Sequence, residues 1–196
     1  MSERLTIIDF VDKYTSKYAK DTFLREKING VWQETSFEDT RKEGRVLAAA
    51  FMSLGLQKGE RVALISEGRK LWIIAELGVL YAGGTDVPLS AKLEESNDLL
   101  FRINHSDSRF VIASQQQLPK IRKIIGQLPL VEKIIVLDDL AEYGEKEIGI
   151  TEFTKMGEAY IAENESKVDE RAASVGPDDY ANISYTSGTT SDPKGV

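Results

Sequence analysis

The residues best equipped for chemistry lie together in Ile183-Ser-Tyr-Thr-Ser-Gly-Thr-Thr-Ser-Asp-Pro-Lys-Gly-Val196. Five hydroxyls (Thr186, Ser187, Thr189, Thr190 and Ser191) surround Gly188, and the ammonium of Lys194 is followed by Gly195. Hydroxyls and backbone N–H groups donate to phosphate oxygens, glycine permits close backbone approach, and lysine supplies charge. Asp192 and Pro193 block a helix between the hydroxyl run and the lysine. A Walker loop is excluded. Its Gly, four residues, then Gly-Lys-Ser/Thr order would need Gly at position 193, where Pro stands, and here the lysine precedes its glycine. A plain Ser/Thr-rich surface loop is the competing reading, and composition alone favours it.

Other chemistries are poorly supplied. The 196 residues contain no cysteine, so disulfides and thiolate metal sites are excluded, and a reducing compartment is compatible. The single histidine, His105, argues against multi-imidazole zinc sites and a chain-internal Ser–His relay. It lies in the turn-like cluster Asn104-His105-Ser106-Asp107 and reads as a surface or helix-end residue rather than a base. The net charge of −7 is local, because residues 138–170 hold eleven Asp/Glu against three Lys and leave +1 for the rest. No basic stripe interleaved with aromatics suggests nucleic acid. The start has no signal-peptide pattern, and the longest apolar stretch, Leu71–Ala82, is broken by Glu76 and too short to span a bilayer. These features predict a cytoplasmic protein with at most peripheral membrane contact.

The elements that must position the hydroxyl run alternate. Residues 6–19 predict an amphipathic helix with Phe10, Val11 and Tyr14 on one face. Asn29-Gly30 between residues 22–28 and 31–35 predicts a hairpin. Ser36-Phe-Glu-Asp39 has capping-box form and starts a helix striped by Leu47, Ala50, Phe51 and Leu54, ended by Gly55. Strands are expected at 61–66, 85–89, 109–113, 133–137 and 180–185. Helices are expected at 71–82, 93–104, 117–126 and near 151–164, the last followed by a polar linker to about 176. Pro88 pushes its strand towards an edge. The basic face of 117–126 (Lys120, Arg122 and Lys123) reads as solvated. Short strands separated by helices of ten to fourteen residues predict an α/β fold, with a parallel sheet covered by helices on both faces. Ligands of such sheets bind beyond the carboxyl ends of strands, and the hydroxyl loop follows one.

Tyr185-Thr-Ser-Gly-Thr-Thr-x-x-Pro-Lys-Gly-Val196 resembles the phosphate loop of the adenylate-forming (AMP-binding) superfamily, which includes acyl-CoA synthetases, peptide-synthetase adenylation domains and luciferases. Ser191 stands where that family usually has glycine, and costs about 1 kcal/mol if the position needs φ > 0. Upstream, Gly55-Leu-Gln-Lys-Gly-Glu-Arg-Val-Ala-Leu and the Trp72–Leu89 unit are similar to recurrent segments of the family. Leu128–Asp139 looks closest to its long-chain fatty acyl-CoA ligase branch.

The resemblance covers residues 30–196 and implies the incomplete amino-terminal part of an acyl-CoA synthetase-like large domain. It implies a reaction of ATP with a fatty or other carboxylic acid, giving an acyl-adenylate and then an acyl-CoA. Carried over, Thr186, Ser187, Gly188, Thr189, Thr190, Lys194 and Gly195 form the triphosphate loop, with Thr186 also a candidate Mg²⁺ contact. The family's adenine, ribose and lid segments, and its coenzyme A contacts, belong to regions absent here. The chain alone is therefore expected to be inactive, with no catalytic residue of its own. The domains implied are an amino-terminal helix and hairpin (1–35), a layered α/β part (36–176), and a last strand with its loop (177–196). Uncovered apolar surface, above all Leu71–Ala82, is expected to drive self-association. Two other readings stand beside this: another carboxylate-adenylating enzyme, and a non-catalytic nucleotide-binding or structural module.

Overall fold

The computed structural model describes residues 4–93, 96–186 and 193–196. In chain order the elements are α1 (Ile7–Tyr18), β1 (Thr22–Ile28), β2 (Val31–Ser36), α2 (Phe37–Ser53), β3 (Arg61–Ile65), α3 (Lys70–Tyr81), β4 (Thr85–Leu89) and α4 (Ser96–His105). There follow β5 (Ser108–Ala113), α5 (Leu118–Ile124) with a 3₁₀ turn at Ile125–Gln127, β6 (Lys133–Val136), β7 (Glu147–Gly149), α6 (Ile150–Ala173), β8 (Tyr185–Thr186) and β9 (Lys194–Gly195). They form two compact units. The first comprises Met1–Lys58, Gly68–Gly84 and Thr154–Asp179; the second comprises Gly59–Glu67, Thr85–Phe153 and Tyr180–Val196. No helix among the described residues is long and apolar enough to cross a membrane.

In the first unit, Thr6 and Asp9 close a reciprocal cap on α1. The helix buries Ile8, Val11 and Thr15. Phe10, expected to share the inward face with Val11, is instead exposed and packs its ring on Tyr14 at 4.4 Å. Asn29 (φ 50°) and Gly30 (φ 82°) make the hairpin turn that joins β1 to β2. Ser36 caps α2 by accepting from the Asp39 N–H at 3.1 Å. At its far end the Gly55 N–H bonds to Met52 O and the Leu56 N–H to Phe51 O, a Schellman closure made possible by Gly55 at φ 84°. α2 and α3 cross where both lack side chains: a Cβ on Gly78 would lie 2.7 Å from Leu47 Cβ, and one on Gly44 3.1 Å from Leu77 Cβ. Buried Tyr81 donates to Asp12 Oδ1 at 2.6 Å, and Arg41 Nε reaches the same oxygen at 2.6 Å.

The polar linker expected to follow residue 164 is absent. α6 continues to Ala173, bent at Asn164 (φ −136°). Tertiary anchors extend it where local polarity suggests a break. Val168 is fully buried, Asp169 pairs with Arg45, and Arg171 Nη1 donates to the carbonyls of Leu56 (3.0 Å) and Ala82 (3.1 Å). Nor is Leu71–Ala82 an uncovered apolar surface, since none of its residues is exposed. The large apolar side chains that are exposed include Phe10, Ile28, Val31, Trp32 and Tyr180.

The second unit is built on a five-stranded parallel sheet ordered β4-β3-β5-β6-β7. The fold class is α/β, as the alternation predicts. β4, which carries Pro88, is an edge strand. In register, Ala63 and Ile65, Val87 and Leu89, Val111 and Ala113, and Ile134 and Val136 share one sheet face. That face is buried with Leu99 and Ile103 of α4 and with Leu118, Ile121 and Ile124 of α5. Side chains on the other face, including Val62, Leu64, Phe110 and Ile112, are equally buried. Neither face meets solvent, so these strands read as continuous apolar runs. β7 was not expected, because three residues inside an acidic stretch carry no readable period. The basic face of α5 is only partly solvated: Arg122 is forked on Glu147 at 2.6 and 2.7 Å, and Lys120 donates to the carbonyls of Ala91 and Leu93.

Candidate functional site

The described parts of the hydroxyl loop are its two stems. β8 and β9 pair antiparallel, Tyr185 opposite Gly195 and Thr186 opposite Lys194. Ser184 and Val196 exchange both backbone hydrogen bonds at 2.9 Å. Ser187, Gly188, Thr189, Thr190 and Ser191 lie outside the described residues. Of the predicted site, the structure therefore places Thr186, Lys194 and Gly195.

The ladder sorts these residues onto two faces. Directly opposed residues of an antiparallel pair project to the same side, and the side alternates along each strand. Ser184, Thr186 and Lys194 therefore share one face. Thr186 and Lys194 are both exposed there. Tyr185 and Gly195 share the other. Tyr185 and Gly195 flank the bonded Ser184–Val196 pair, so they are a closely spaced non-bonded pair, where side chains crowd most. A Cβ on Gly195 would lie 2.9 Å from Ile183 Cγ2 and 3.4 Å from Tyr185 Cζ. Ile183 and Tyr185 in turn pack against the buried cluster of the second unit. One face is thus apolar and anchored; the other presents a hydroxyl and an ammonium.

Tyr185 is fixed at its far end. Its Oη is hydrogen-bonded to His105 Nδ1 at 2.8 Å, and the Arg102 guanidinium lies 5.9 Å from its ring centre. Burial raises the phenol above its ordinary pKa, against a smaller opposing effect of a hydrogen bond with Ser106, so the group stays protonated at neutral pH. His105 is the last residue of α4, as its sequence context suggests, and it orients Tyr185.

The expected strand 180–185 is reduced to one parallel rung. Asn182 bridges Asp86, with Asp86 N–H to Ala181 O at 3.0 Å and Ile183 N–H to Asp86 O at 2.9 Å. Beyond Ile183 the backbone pairs within its own hairpin, and the apolar side chains turn onto the core. Tyr185 meets the end of α4 that leads into the amino end of β5, not a carboxyl end. The rung has no sequence signal, because parallel pairing across about a hundred residues leaves no local pattern.

A triphosphate fits what is described, in that a hydroxyl donor and a cation face one exposed surface. Among the described residues no group of three or more His, Asp or Glu could hold a metal ion; Thr186 presents one exposed hydroxyl oxygen.

The family model "AMP-binding enzyme" matches residues 11–196. A long-chain-fatty-acid–CoA ligase of Xenopus laevis is 28% identical over 193 residues, covering 98% of this chain and 26% of its own. A 4-hydroxybutyrate–CoA ligase of Metallosphaera sedula is 30% identical over 201 residues, covering 98% and 34%. This chain thus spans about a third or less of those relatives' length. Among solved structures, an anthranilate CoA ligase in complex with anthranoyl-AMP superposes with a TM-score of 0.77 at 21% identity, over 100% of this chain and 35% of its own. A Mycobacterium tuberculosis fatty acyl CoA synthetase gives 0.71 at 22% identity, over 95% and 33%. The fold is that of the acyl-CoA synthetase-like adenylate-forming enzymes, and the chain belongs to the AMP-binding enzyme family.

Proposed function

We propose that the chain supplies the phosphate-holding loop and part of the large domain of an ATP-dependent long-chain fatty acid–CoA ligase. A fatty carboxylate oxygen attacks the α-phosphorus of ATP and pyrophosphate leaves; the coenzyme A thiol then attacks the acyl carbon and AMP leaves. The observation that carries the reading is the shared exposed face of Thr186 and Lys194 on the hairpin that closes the motif. These residues hold the β- and γ-phosphates, whose charge must be positioned and neutralised while the α-phosphorus is attacked. One lysine and neutral hydroxyls hold pyrophosphate loosely enough for release. For the magnesium usual in such reactions Thr186 is the candidate contact in this chain, and coenzyme A is assigned to parts of the relatives that this chain does not span.

The long-chain substrate rests on relatives named for long-chain fatty acids. A short hydroxyacid is the second reading, favoured by the 30% identity to the 4-hydroxybutyrate ligase. ATP–pyrophosphate exchange with acids of two to eighteen carbons tests both on a protein that contains this chain and is extended to its relatives' full length. Residues 1–196 alone should give no exchange. Clear turnover by that chain, lost in Lys194→Met, overturns its assignment as an incomplete catalyst.

A further inference from the structure

The first unit carries a surface that the ligase reading does not use. On α1, Phe10, Lys13, Tyr14 and Lys17 follow the i, i+3, i+4, i+7 spacing of one helical face, opposite the buried Ile8, Val11 and Thr15. The row of rings continues off the helix: Tyr14 stacks on Tyr18 at 6.1 Å, Tyr18 meets Phe37 at 6.2 Å, and Phe37 meets Phe23 of β1 at 4.5 Å. β1 then leads to a hairpin tip whose Ile28, Val31 and Trp32 are 47%, 60% and 61% exposed. Burying a tryptophan and its neighbours is the ordinary outcome, so leaving them exposed at one tip marks an interaction surface.

Charge decides the partner. Across α1 and the hairpin, residues 7–36 hold Lys13, Lys17, Lys20, Arg25 and Lys27 against Asp9, Asp12, Asp21, Glu26 and Glu34, a balanced count in a chain of net −7, so what matters is which groups are paired. The nearby acids are largely occupied. Asp9 is held by Thr6, Asp12 by Arg41 and Tyr81, Glu34 by Arg25 and Thr22, and Glu38 by Lys20. Lys13, Lys17 and Lys27 are exposed and have no carboxylate partner among the described residues. Lys17 lies 4.8 Å from the Tyr18 ring centre and Lys27 5.8 Å from that of Trp32. Lysines beside tyrosine and tryptophan match a headgroup layer, where aromatic rings take the interface and ammonium groups meet lipid phosphates.

We propose that the α1 face and the β1–β2 hairpin tip dock this chain on an anionic lipid bilayer surface. Trp32 and Val31 enter the headgroup boundary while Lys13, Lys17 and Lys27 face lipid phosphates. The inference does not depend on the ligase assignment.

The test is co-sedimentation of the 196-residue chain with vesicles of phosphatidylcholine alone or with 30% phosphatidylglycerol, followed by tryptophan emission in a Trp72→Phe background. Binding to the anionic vesicles with a blue shift of Trp32, weakened by salt, is expected. Neutralising Lys13, Lys17 and Lys27 to Gln lowers the partition coefficient about a hundredfold, at about 1 kcal/mol per lysine near the surface. Trp32→Ser lowers it on folded protein, with far-UV circular dichroism and urea midpoint as the check. Equal binding to neutral vesicles, or an unaffected triple variant, overturns the proposal. So does a concentration-dependent dimer without lipid that Trp32→Ser abolishes, which assigns the surface to a second copy. A protein extended to its relatives' length that buries Trp32 from acrylamide quenching and ignores vesicles assigns it to the rest of the polypeptide, and also overturns it.

Discussion

Removing the ammonium of Lys194 tests whether the two-faced hairpin holds phosphate. Thr186 and Lys194 stand opposite each other on the exposed side, while Tyr185 and Gly195 occupy the anchored side. A charge contact at about 4 Å contributes about 1 kcal/mol in water and up to about 4 in partly screened surroundings. Lys194 is exposed, so the lower end applies, and Lys194→Met should weaken pyrophosphate or ATP binding about fivefold, equivalent to about 1 kcal/mol. Thr186→Val removes a neutral donor contributing about 0.5–1.5 kcal/mol, hence about threefold. Tyr185→Phe changes only the opposite face and should shift the dissociation constant less than about twofold, despite losing its bond to His105. Amide shift titrations of residues 184–186 and 194–196 with pyrophosphate read all three constants. Raising salt from about 50 to 500 mM should shrink the lysine effect, because screening acts on exposed charges. A Lys194→Met constant within twofold of wild type refutes the reasoning. A Tyr185→Phe effect exceeding that of Lys194→Met refutes the face assignment.

Gly157→Ala should destabilise by at least about 3 kcal/mol in urea titration, since the new Cβ would lie 2.0 Å from the Val46 carbonyl oxygen. Gly126→Ala, which meets nothing within 4 Å, should change stability by less than about 1 kcal/mol. Tyr81→Phe should cost about 0.5–1.5 kcal/mol, the net contribution of the hydrogen bond its buried hydroxyl gives to Asp12, whose half-exposed side chain can accept from water instead. Arg122→Met should cost about 1–3 kcal/mol, because the Glu147 side chain it neutralises is only 4% exposed. The Arg122 fork, with the Gly144 N–H, holds the Glu147 carboxyl below its ordinary pKa against burial. A carboxylate depressed on folding stabilises above its unfolded pKa and loses that contribution as pH falls through the folded one. Acid titration of wild type should therefore show a loss below about pH 4.3 that Arg122→Met lacks.

Elements whose signals are local were legible in the sequence. Asn29-Gly30 sets the hairpin, Gly55 ends its helix with the positive φ it demands, and the apolar runs at 61–66 and 109–113 are strands buried on both faces. Two of the failures share a cause in long-range contact. α6 outruns its expected end because Arg171, Asp169 and Val168 find partners far along the chain. β7 exists because Ile134 and Val136 supply a ladder for three residues with no period of their own. Phe10 turns outward because helical spacing places it opposite Ile8 and Thr15, whatever its hydrophobicity. The loop's order of residues was readable as a motif, but its division into faces was not, since that follows from which residues oppose each other across the turn.

That division changes what each residue of Lys194-Gly195 does. A glycine beside a phosphate-binding lysine is ordinarily explained by close backbone approach to the ligand. Here Gly195 faces away from Thr186 and Lys194, and the space its missing Cβ leaves is filled by Ile183 and Tyr185. Its smallness lets the hairpin close at the narrow pair and keeps the Tyr185 ring on the core, where His105 fixes the hydroxyl. Gly195→Ala should then lower stability and loosen the stem without removing a phosphate contact, whereas Lys194→Met should do the reverse. Measuring the urea midpoint and the pyrophosphate constant on both variants separates the two roles. If Gly195→Ala leaves stability unchanged and abolishes binding, the glycine serves the ligand directly and the packing account fails.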